Sequence, residues 1–158
     1  MIKVLFVCLG NICRSPMAEF VLKDMVQKQG IADQFYIASA ATSSEEIYRG
    51  VGNPVYPPAK QELARHGISC EGKRAVQLVK SDYERYDYLI GMEDVNLRNM
   101  RRIFGEDREH KVYRLLEFTD EPGRQIADPW YSGNFELTYR QIEEGCAAFL
   151  KWLAGKAE

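Results

Sequence analysis

The sequence predicts an α/β protein whose parallel sheet is covered by helices on both faces. Apolar runs of strand length alternate along the chain with segments in which apolar residues recur every three or four positions. The first run, residues 2–8, is apolar almost throughout, as is typical of a parallel strand buried on both faces. Alternation of this kind places a sheet between two layers of helices. The 158 residues suit a single domain, residues 1–158.

The first predicted unit consists of a strand, a loop, a helix and a second strand. The strand ends at Cys8, and a short loop follows it. We expect the helix to open with Ser15 as its N-cap and Pro16 as its first helical residue, because these residue types are preferred there. Gly30 predicts the end of that helix. A right-handed crossover then leads to a parallel second strand at residues 35–40.

The rest of the chain adds two strands and four helical segments. The strands are predicted at residues 88–92 and 112–115. The helical segments are predicted at residues 59–66, 81–86, 97–104 and 135–153. Two long stretches, residues 41–57 and 119–134, are predicted to be irregular, and loops of this length are usually functional or mobile. Ligands of such sheets bind beyond the carboxyl ends of the strands, where Cys8 lies.

Composition and charge limit the partners of the chain. A net charge of −2 gives no overall attraction to nucleic acid or to an anionic membrane, so we expect neither as a partner. No stretch approaches the roughly 18 consecutive apolar residues of a membrane span. The chain enters its first strand directly, without the basic and apolar segments of a secretory signal. We therefore expect a cytoplasmic protein, and leave open export by a route that needs no such signal.

The cysteines indicate a reducing compartment. The four residues, at positions 8, 13, 70 and 146, are too few and too irregularly spaced for a disulfide scaffold or a zinc site. No metal is therefore expected. Cys146 falls on the apolar face of the last predicted helix and is expected in the core, whereas Cys70 has no assigned role.

The loop between Cys8 and Arg14 has the chemistry of a phosphate site. A ring of backbone amides and the positive end of the following helix together bind an oxyanion, and they favour the thiolate of Cys8. The five intervening residues let Arg14 turn toward the sulfur, where its planar fork can hold two phosphate oxygens. A core thiol beside a surface arginine is the simpler alternative, but the strand before the loop and the helix after it favour a phosphate pocket with a nucleophile at its base. The predicted loop residues are Leu9, Gly10, Asn11, Ile12, Cys13 and Ser15.

The stretch CLGNICRSPMAE, residues 8–19, resembles the phosphate-binding loop of the low-molecular-weight protein tyrosine phosphatases. Four further stretches fall in the family's order: SAATS at 39–43, RHGI at 65–68, MEDVN at 92–96 and DPWYSG at 128–133. The resemblance therefore covers essentially the whole chain. It implies a three-layer fold with strand order 2-1-3-4, and hydrolysis of phosphotyrosine in proteins through a phosphocysteine, without a cofactor. Whether a cognate tyrosine kinase is also a partner is left open.

The resemblance implies a role for each matching residue. Cys8 is the nucleophile, Arg14 clamps the phosphate, and Asp128 is the general acid and base, with an Asp-Pro turn as the simpler alternative for Asp128. Ser15 caps its helix and also matches the serine whose hydroxyl donates to the thiolate. The buried polar network that supports the loop is matched by Asn11, Ser39 and His66. The position of His66 at a helix end also suits an interaction with the helix dipole alone.

Two aromatic residues and a second cysteine complete the resemblance. Trp130 and Tyr131 match the family's paired aromatic residues at the substrate wall, with tryptophan where tyrosine is usual. Tyr48, in the first irregular stretch, is a third candidate for that wall. Cys13 matches the family residue that traps an oxidised Cys8 as a disulfide, an ordinary buried thiol being the alternative.

Other functions compatible with the same loop differ in particular residues. A thiol-dependent arsenate reductase relays a disulfide along cysteines paired closely in sequence, whereas Cys70 and Cys146 stand far apart. A phosphoarginine phosphatase is expected to have threonine at the position of Ile12, and the apolar Ile12 favours an aryl phosphate. A non-catalytic phosphotyrosine-binding module would need neither a nucleophile nor an acid. Turnover distinguishes such a module from an enzyme.

Overall fold

The computed structural model describes residues 1–156, so the last two residues of the expected domain lie outside the described residues. The strands within this range are β1 (Ile2–Cys8), β2 (Phe35–Ala41), β3 (Ile47–Tyr48), β4 (Val51–Gly52), β5 (Tyr88–Gly91) and β6 (Val112–Arg114). The helices are α1 (Arg14–Lys28), α2 (Pro57–Arg65), α3 (Asp82–Arg85), α4 (Asp94–Phe104), α5 (Pro129–Ser132) and α6 (Phe135–Lys156). Short 3-10 helices lie at Ala32–Gln34 and Leu115–Phe118.

Four of the strands form a parallel sheet in the order β2-β1-β5-β6. β1 pairs with β2 from Ile2 opposite Phe35 to Cys8 opposite Ala41, and it pairs with β5 on its other side. β5 in turn pairs with β6. Because β5 and β6 are the third and fourth strands of this sheet along the chain, the predicted order 2-1-3-4 is confirmed. Cys8 lies at the carboxyl edge of the sheet, as expected.

The side chains of β1 alternate between two apolar cores, which explains its nearly continuous apolar sequence. Val4 and Phe6 pack on one face with side chains of α1, α2 and α6. Leu5 and Val7 pack on the other face with side chains of α3 and α4. All four side chains are almost completely buried. The expected three layers, with helices on both faces of the sheet, are confirmed.

The two stretches predicted to be irregular contain short regular elements, so that prediction is wrong in part. β3 and β4 form an antiparallel hairpin around Arg49 and Gly50, whose φ angles are 51° and 80°. Strands of two residues are too short to show alternation in a sequence. In the second stretch, α5 is a single turn with Asp128 as its N-cap and Pro129 in its first turn.

The other element boundaries lie within three residues of their predicted positions. α1 ends at Lys28, and Gly30 follows with a φ of 73°, a conformation that glycine adopts without strain. α2 begins at Pro57, two residues earlier than predicted, because proline is compatible with the first turn of a helix. Among residues 1–156, the structure contains no helix with the length and apolar character needed to cross a membrane.

Candidate active site

Cys8 is the last residue of β1, and only 4% of its surface is exposed. The backbone beyond it is tied to the segment that follows β2. Thr42 N donates to Cys8 O at 3.0 Å, and Ser43 N donates to Leu9 O at 2.9 Å. Parallel pairing therefore continues past the end of the strand and fixes the start of the Cys8 loop, residues 9–13. The thiol therefore lies at the junction between β1 and this loop.

Asn11 makes a sharp bend in the Cys8 loop, with a φ of 58°. Asparagine tolerates this left-handed conformation better than most residues do. Both polar atoms of its buried side chain form hydrogen bonds. Oδ1 accepts from Val76 N at 3.0 Å, whereas Nδ2 donates to Ser15 Oγ at 2.8 Å and to Ser39 Oγ at 2.9 Å. These bonds hold the bend in place.

A chain of hydrogen bonds connects Asn11 to the thiol. Ser15 Oγ lies 3.0 Å from Cys8 Sγ. Because Ser15 Oγ already accepts a hydrogen from Asn11, its own hydroxyl hydrogen is free to donate to the sulfur. Ser39 Oγ accepts the other amide hydrogen of Asn11 and donates to Glu19 Oε1 at 2.6 Å. The structure thus brings Asn11, Ser15 and Ser39 together behind the thiol.

The prediction that Ser15 caps α1 is wrong. The helix begins at Arg14, with Cys13 in the N-cap position and Pro16 as the third helical residue. The Ser15 hydroxyl contacts Cys8 and Asn11 instead of a backbone amide. Cys13 makes no side-chain capping bond to any residue that the structure describes. Amide donors at this helix start therefore remain available to an anion.

Arg14 is buried and is held in one orientation. Its Nη1 donates to the carboxylate of Glu93 and, at 3.0 Å, to Ile126 O. Glu93 is itself fixed as the N-cap of α4, in a capping box with Asn96. Arg14 Nη2 lies 3.6 Å from Asp128 Oδ2. The guanidinium therefore connects the start of α1, the start of α4 and the turn before α5.

Asp128 is both a turn residue and a neighbour of Arg14. Its Oδ1 accepts from Trp130 N at 3.0 Å and so caps α5, while Oδ2 is directed at Arg14. The backbone before it is anchored to α6, because Thr138 Oγ1 donates to Ala127 O at 3.0 Å. About one third of the side chain, 32%, is exposed. The carboxyl group is therefore fixed in direction yet open to a ligand that enters from solvent.

The aromatic candidates for a substrate wall lie in different environments. Trp130 packs on Tyr56 with ring centroids 5.1 Å apart, and Tyr56 N donates to Ile12 O at 2.7 Å. Trp130 is thereby connected to the Cys8 loop through one residue. Tyr131 is 87% exposed and Tyr48, on the β3–β4 hairpin, is 72% exposed. The assignment of these side chains to a substrate wall stays a prediction.

The expected contribution of His66 to the network behind the thiol is corrected by its contacts. His66 Nε2 lies 2.9 Å from Glu62 Oε2, and its ring stacks on Tyr139 with centroids 3.7 Å apart. The residue is the C-cap of α2 and joins α2 to α6. The cation that reaches the network is Lys73, whose Nζ donates to Ser39 O at 3.0 Å.

Sequence reasoning missed three charged residues that hold the site: Glu19, Lys73 and Glu93. Glu93 stands in the matched stretch MEDVN, and an acidic residue between a strand and a helix is a recognisable N-cap signal. Glu19 follows Ser15 by four residues and therefore lies on the same face of α1. Lys73 lies outside the helices and strands, and nothing in the sequence identifies it.

All four cysteines are free thiols. Burial, and to a smaller extent the negative charge of Cys8, raise the pKa of Cys13 to about 12. Burial also raises the pKa of Cys70 and that of Cys146. Within residues 1–156, no three His, Cys, Asp or Glu side chains lie close enough together to bind a metal ion.

A buried thiol at the start of a loop, a fixed guanidinium just after that loop and a carboxyl group beside the guanidinium are the parts that define a cysteine-dependent phosphatase. A family model described as low molecular weight phosphotyrosine protein phosphatase matches residues 3–158. The chain belongs to this family.

Individual relatives match over nearly their full length. The chain is 40% identical over 152 residues to the human low molecular weight phosphotyrosine protein phosphatase, covering 94% of this chain and 93% of the relative. It is 38% identical over 151 residues to the low molecular weight protein-tyrosine-phosphatase YfkJ of Bacillus subtilis, covering 95% and 94%. The crystal structure of YfkJ aligns with a TM-score of 0.91 over 100% of this chain and 98% of that one. A structure of Vibrio vulnificus Wzb in complex with benzylphosphonate aligns with a TM-score of 0.80 at 28% identity, over 95% and 97% of the two chains.

Proposed function

We propose that this chain hydrolyses phosphotyrosine in proteins through a covalent phosphocysteine on Cys8. The observation that carries the proposal is the approach of Asp128 Oδ2 to within 3.6 Å of Arg14 Nη2. An acid and a phosphate-binding cation that meet beside one thiol are the parts that a two-step displacement at phosphorus needs.

In the first step the thiolate of Cys8 attacks phosphorus. A sulfur–phosphorus bond forms and the bond between phosphorus and the tyrosyl oxygen breaks, while protonated Asp128 donates its hydrogen to the departing oxygen. Arg14 and the free amides of the Cys8 loop neutralise the charge on the other phosphate oxygens. The phosphate group of the substrate binds to the side of the Arg14 guanidinium that Asp128 approaches in the free protein. The carboxyl group of Asp128 is then directed at the leaving oxygen.

In the second step water replaces the sulfur. Asp128, now a carboxylate, accepts a hydrogen from the attacking water, the new oxygen–phosphorus bond forms, and the sulfur–phosphorus bond breaks. Inorganic phosphate leaves, and Cys8 returns to the thiolate. The Ser15 hydroxyl, 3.0 Å from Cys8 Sγ, stabilises this departing sulfur by donating a hydrogen bond.

An aryl ester is the substrate that the surroundings favour. Ile12 contributes an apolar side chain to the Cys8 loop, and Trp130 and Tyr56 form an aromatic pair bonded to that loop. The Wzb relative was solved with benzylphosphonate, which carries its phosphonate next to an aromatic ring. Phosphotyrosine presents the same two groups. A tyrosine kinase must supply such an ester, and the free thiols suit a reducing, cytoplasmic compartment.

The competing functions have less support. A disulfide relay, as in arsenate reduction, requires a second thiolate, but burial raises the pKa of both Cys70 and Cys146 and keeps these thiols neutral. A pure binding module has no use for an acid held beside the phosphate site. Phosphoarginine carries a charged guanidinium, for which apolar Ile12 is a poor neighbour.

Phosphate release from a phosphotyrosine peptide, measured with a metal chelator present, tests the proposal. We expect turnover by the wild type, a loss of more than about 1,000-fold in Cys8→Ser, and little change in Cys70→Ala, which removes a buried thiol outside the site. A phosphoarginine peptide and arsenate serve as competing substrates. Binding of phosphotyrosine without release, or faster reaction of either competitor, would overturn the proposal.

A further inference from the structure

A buried ion pair lies behind the Cys8 loop and takes no direct part in the proposed reaction. Glu19, on α1, has a side chain that is 5% exposed, and Lys73 has one that is 11% exposed. Lys73 Nζ lies 3.4 Å from Glu19 Oε1 and donates to Ser39 O at 3.0 Å. Burial of two charges costs free energy unless both are well paired. A buried ion pair beside the loop therefore suggests a function beyond stability.

We propose that Glu19 and Lys73 position and polarise the hydrogen-bond chain that ends on the sulfur of Cys8, so that Lys73 is a positioning residue for the nucleophile. The inference rests on the proposed function, in which Cys8 reacts as a thiolate. It concerns residues that never touch the substrate and act through Ser39, Asn11 and Ser15.

Glu19 and the Asn11 amide together set the direction of the hydrogen bonds in this chain. An ionised carboxylate only accepts, so the single hydroxyl hydrogen of Ser39 is directed to Glu19 Oε1, 2.6 Å away. Ser39 Oγ is then an acceptor for Asn11 Nδ2, whose other hydrogen goes to Ser15 Oγ. Ser15 is left with one hydrogen, which is directed to Cys8 Sγ. Glu19 thus orients the Ser39 hydroxyl. The Asn11 amide, whose Oδ1 accepts from Val76 N, orients the Ser15 hydroxyl toward the sulfur.

Lys73 pairs with Glu19 and places a positive charge next to Ser39, behind the Cys8 loop. The pKa of Lys73 is lowered, because burial, together with the like charge of Lys23, outweighs the charge of Glu19, the hydrogen bond to Glu19 and the charge of Cys8, which raise it. The attraction between Lys73 and a Cys8 thiolate is mutual, so the ammonium also stabilises the thiolate.

Other charged groups act on the same two residues. Lys23 contacts Glu19 Oε2 at 2.6 Å, but its side chain is 43% exposed and it acts on Lys73 with like charge. On the pocket side, Arg14, Asp128 and Cys8 lie close enough to Cys13 for their charges to act on its thiol. Lys73 differs from Lys23 because it is buried and also holds the backbone of Ser39.

The test measures how fast iodoacetamide inactivates the protein between pH 4 and 9, together with kcat for an aryl phosphate. Lys73→Gln can still donate to Ser39 O but carries no charge. We expect its alkylation profile to move to higher pH by about 0.5 pH units or more and its kcat to fall about tenfold. Lys73→Arg restores the charge and should bring the profile back toward the wild type. Lys23→Gln, which removes the exposed partner of the same carboxylate, is the matched control and should leave both readouts nearly unchanged.

Two results would overturn the inference. One is a Lys73→Gln profile that coincides with the wild type, even if the free energy of unfolding falls, since a purely structural ion pair would behave in that way. The other is an equal shift in Lys23→Gln. If Lys73→Gln does not fold, Lys73→Arg still decides, because a charged replacement whose profile moves to higher pH by about 0.5 pH units or more contradicts the role of charge. Alkylation needs no phosphatase turnover, so failure of the proposed function is detected separately.

Discussion

Arg14 and Glu93 form an ion pair that joins the Cys8 loop to the helix after β5. Arg14 belongs to the first turn of α1, whereas Glu93 is the N-cap of α4 on the opposite side of the sheet. The guanidinium also donates to Ile126 O at 3.0 Å. The guanidinium is therefore oriented by contacts to both helix layers, rather than by its own segment alone.

Replacing Glu93 tests this orientation. Glu93→Gln keeps an oxygen that can cap α4 but removes the charge that holds Arg14, so the guanidinium loses its fixed direction. We expect kcat/KM for an aryl phosphate to fall about 10- to 100-fold, with little change in the unfolding midpoint. Asp94→Asn, which removes the neighbouring carboxylate paired with Arg114 at 2.8 Å, is the control and should change kcat/KM by less than about threefold. Equal effects of the two substitutions would contradict the proposed role of Glu93.

Asn11 should be required for its side chain as well as for its backbone. At a φ of 58°, glycine is unstrained, whereas alanine costs roughly 1 kcal/mol or more. Asn11→Ala should therefore have a lower free energy of unfolding than Asn11→Gly, measured by urea denaturation. Both variants lose the bonds to Ser15 and Ser39 and should show strongly reduced kcat. A fully active Asn11→Gly would show that backbone freedom suffices.

Cys13 should make the protein less stable in alkali. Its pKa is raised from 9.0 to about 12 in the folded chain, chiefly by burial. Between these values the unfolded chain loses the Cys13 proton while the folded chain keeps it, so the free energy of unfolding decreases as pH rises. Urea denaturation at pH 8 and at pH 10.5 should show a smaller decrease for Cys13→Ala than for the wild type. Identical decreases would contradict this explanation.

Trp130 should contribute to recognition of an aromatic leaving group. Its contact with Tyr56, at 5.1 Å between centroids, places an apolar ring beside the Cys8 loop. For Trp130→Ala we expect KM for a phosphotyrosine peptide to rise about three- to tenfold, with a smaller change in kcat. The KM for a small alkyl phosphate should stay nearly constant. A proportional rise for both substrates would assign Trp130 a structural function instead.

The sequence was sufficient for the parts of the molecule that depend on local pattern. Residues 2–8 are apolar because β1 is covered on both faces, and this run predicted the strand that carries Cys8. The loop after it and the helix after the loop followed from the same short stretch. The β3–β4 hairpin could not be predicted, since two-residue strands have no period and the turn uses a positive φ at Arg49, a residue type that gives no turn signal.

The candidate site was predictable where a residue carries its own chemical signature. Cys8, Arg14 and Asp128 stand in recognisable stretches, and the structure brings Arg14 and Asp128 together. Lys73 and Glu93 act through partners distant in sequence, which only the folded chain brings close. For His66, the matching stretch predicted a residue that supports the Cys8 loop. In the structure, its side chain contacts Glu62 and Tyr139 instead.

Rapid acid quench of a reaction with an aryl phosphate that has a good leaving group tests the central claim most directly. Asp128→Asn should still transfer the phosphoryl group to the thiol of Cys8, because a good leaving group departs without being protonated. The variant should hydrolyse the resulting phosphocysteine slowly. Stoichiometric phosphate bound to the peptide containing Cys8 is the predicted result. It should be absent from Cys8→Ser, and Asp120→Asn, a matched change in the same stretch, should turn over like the wild type. Leaving-group release without protein-bound phosphate in Asp128→Asn would contradict a phosphocysteine mechanism.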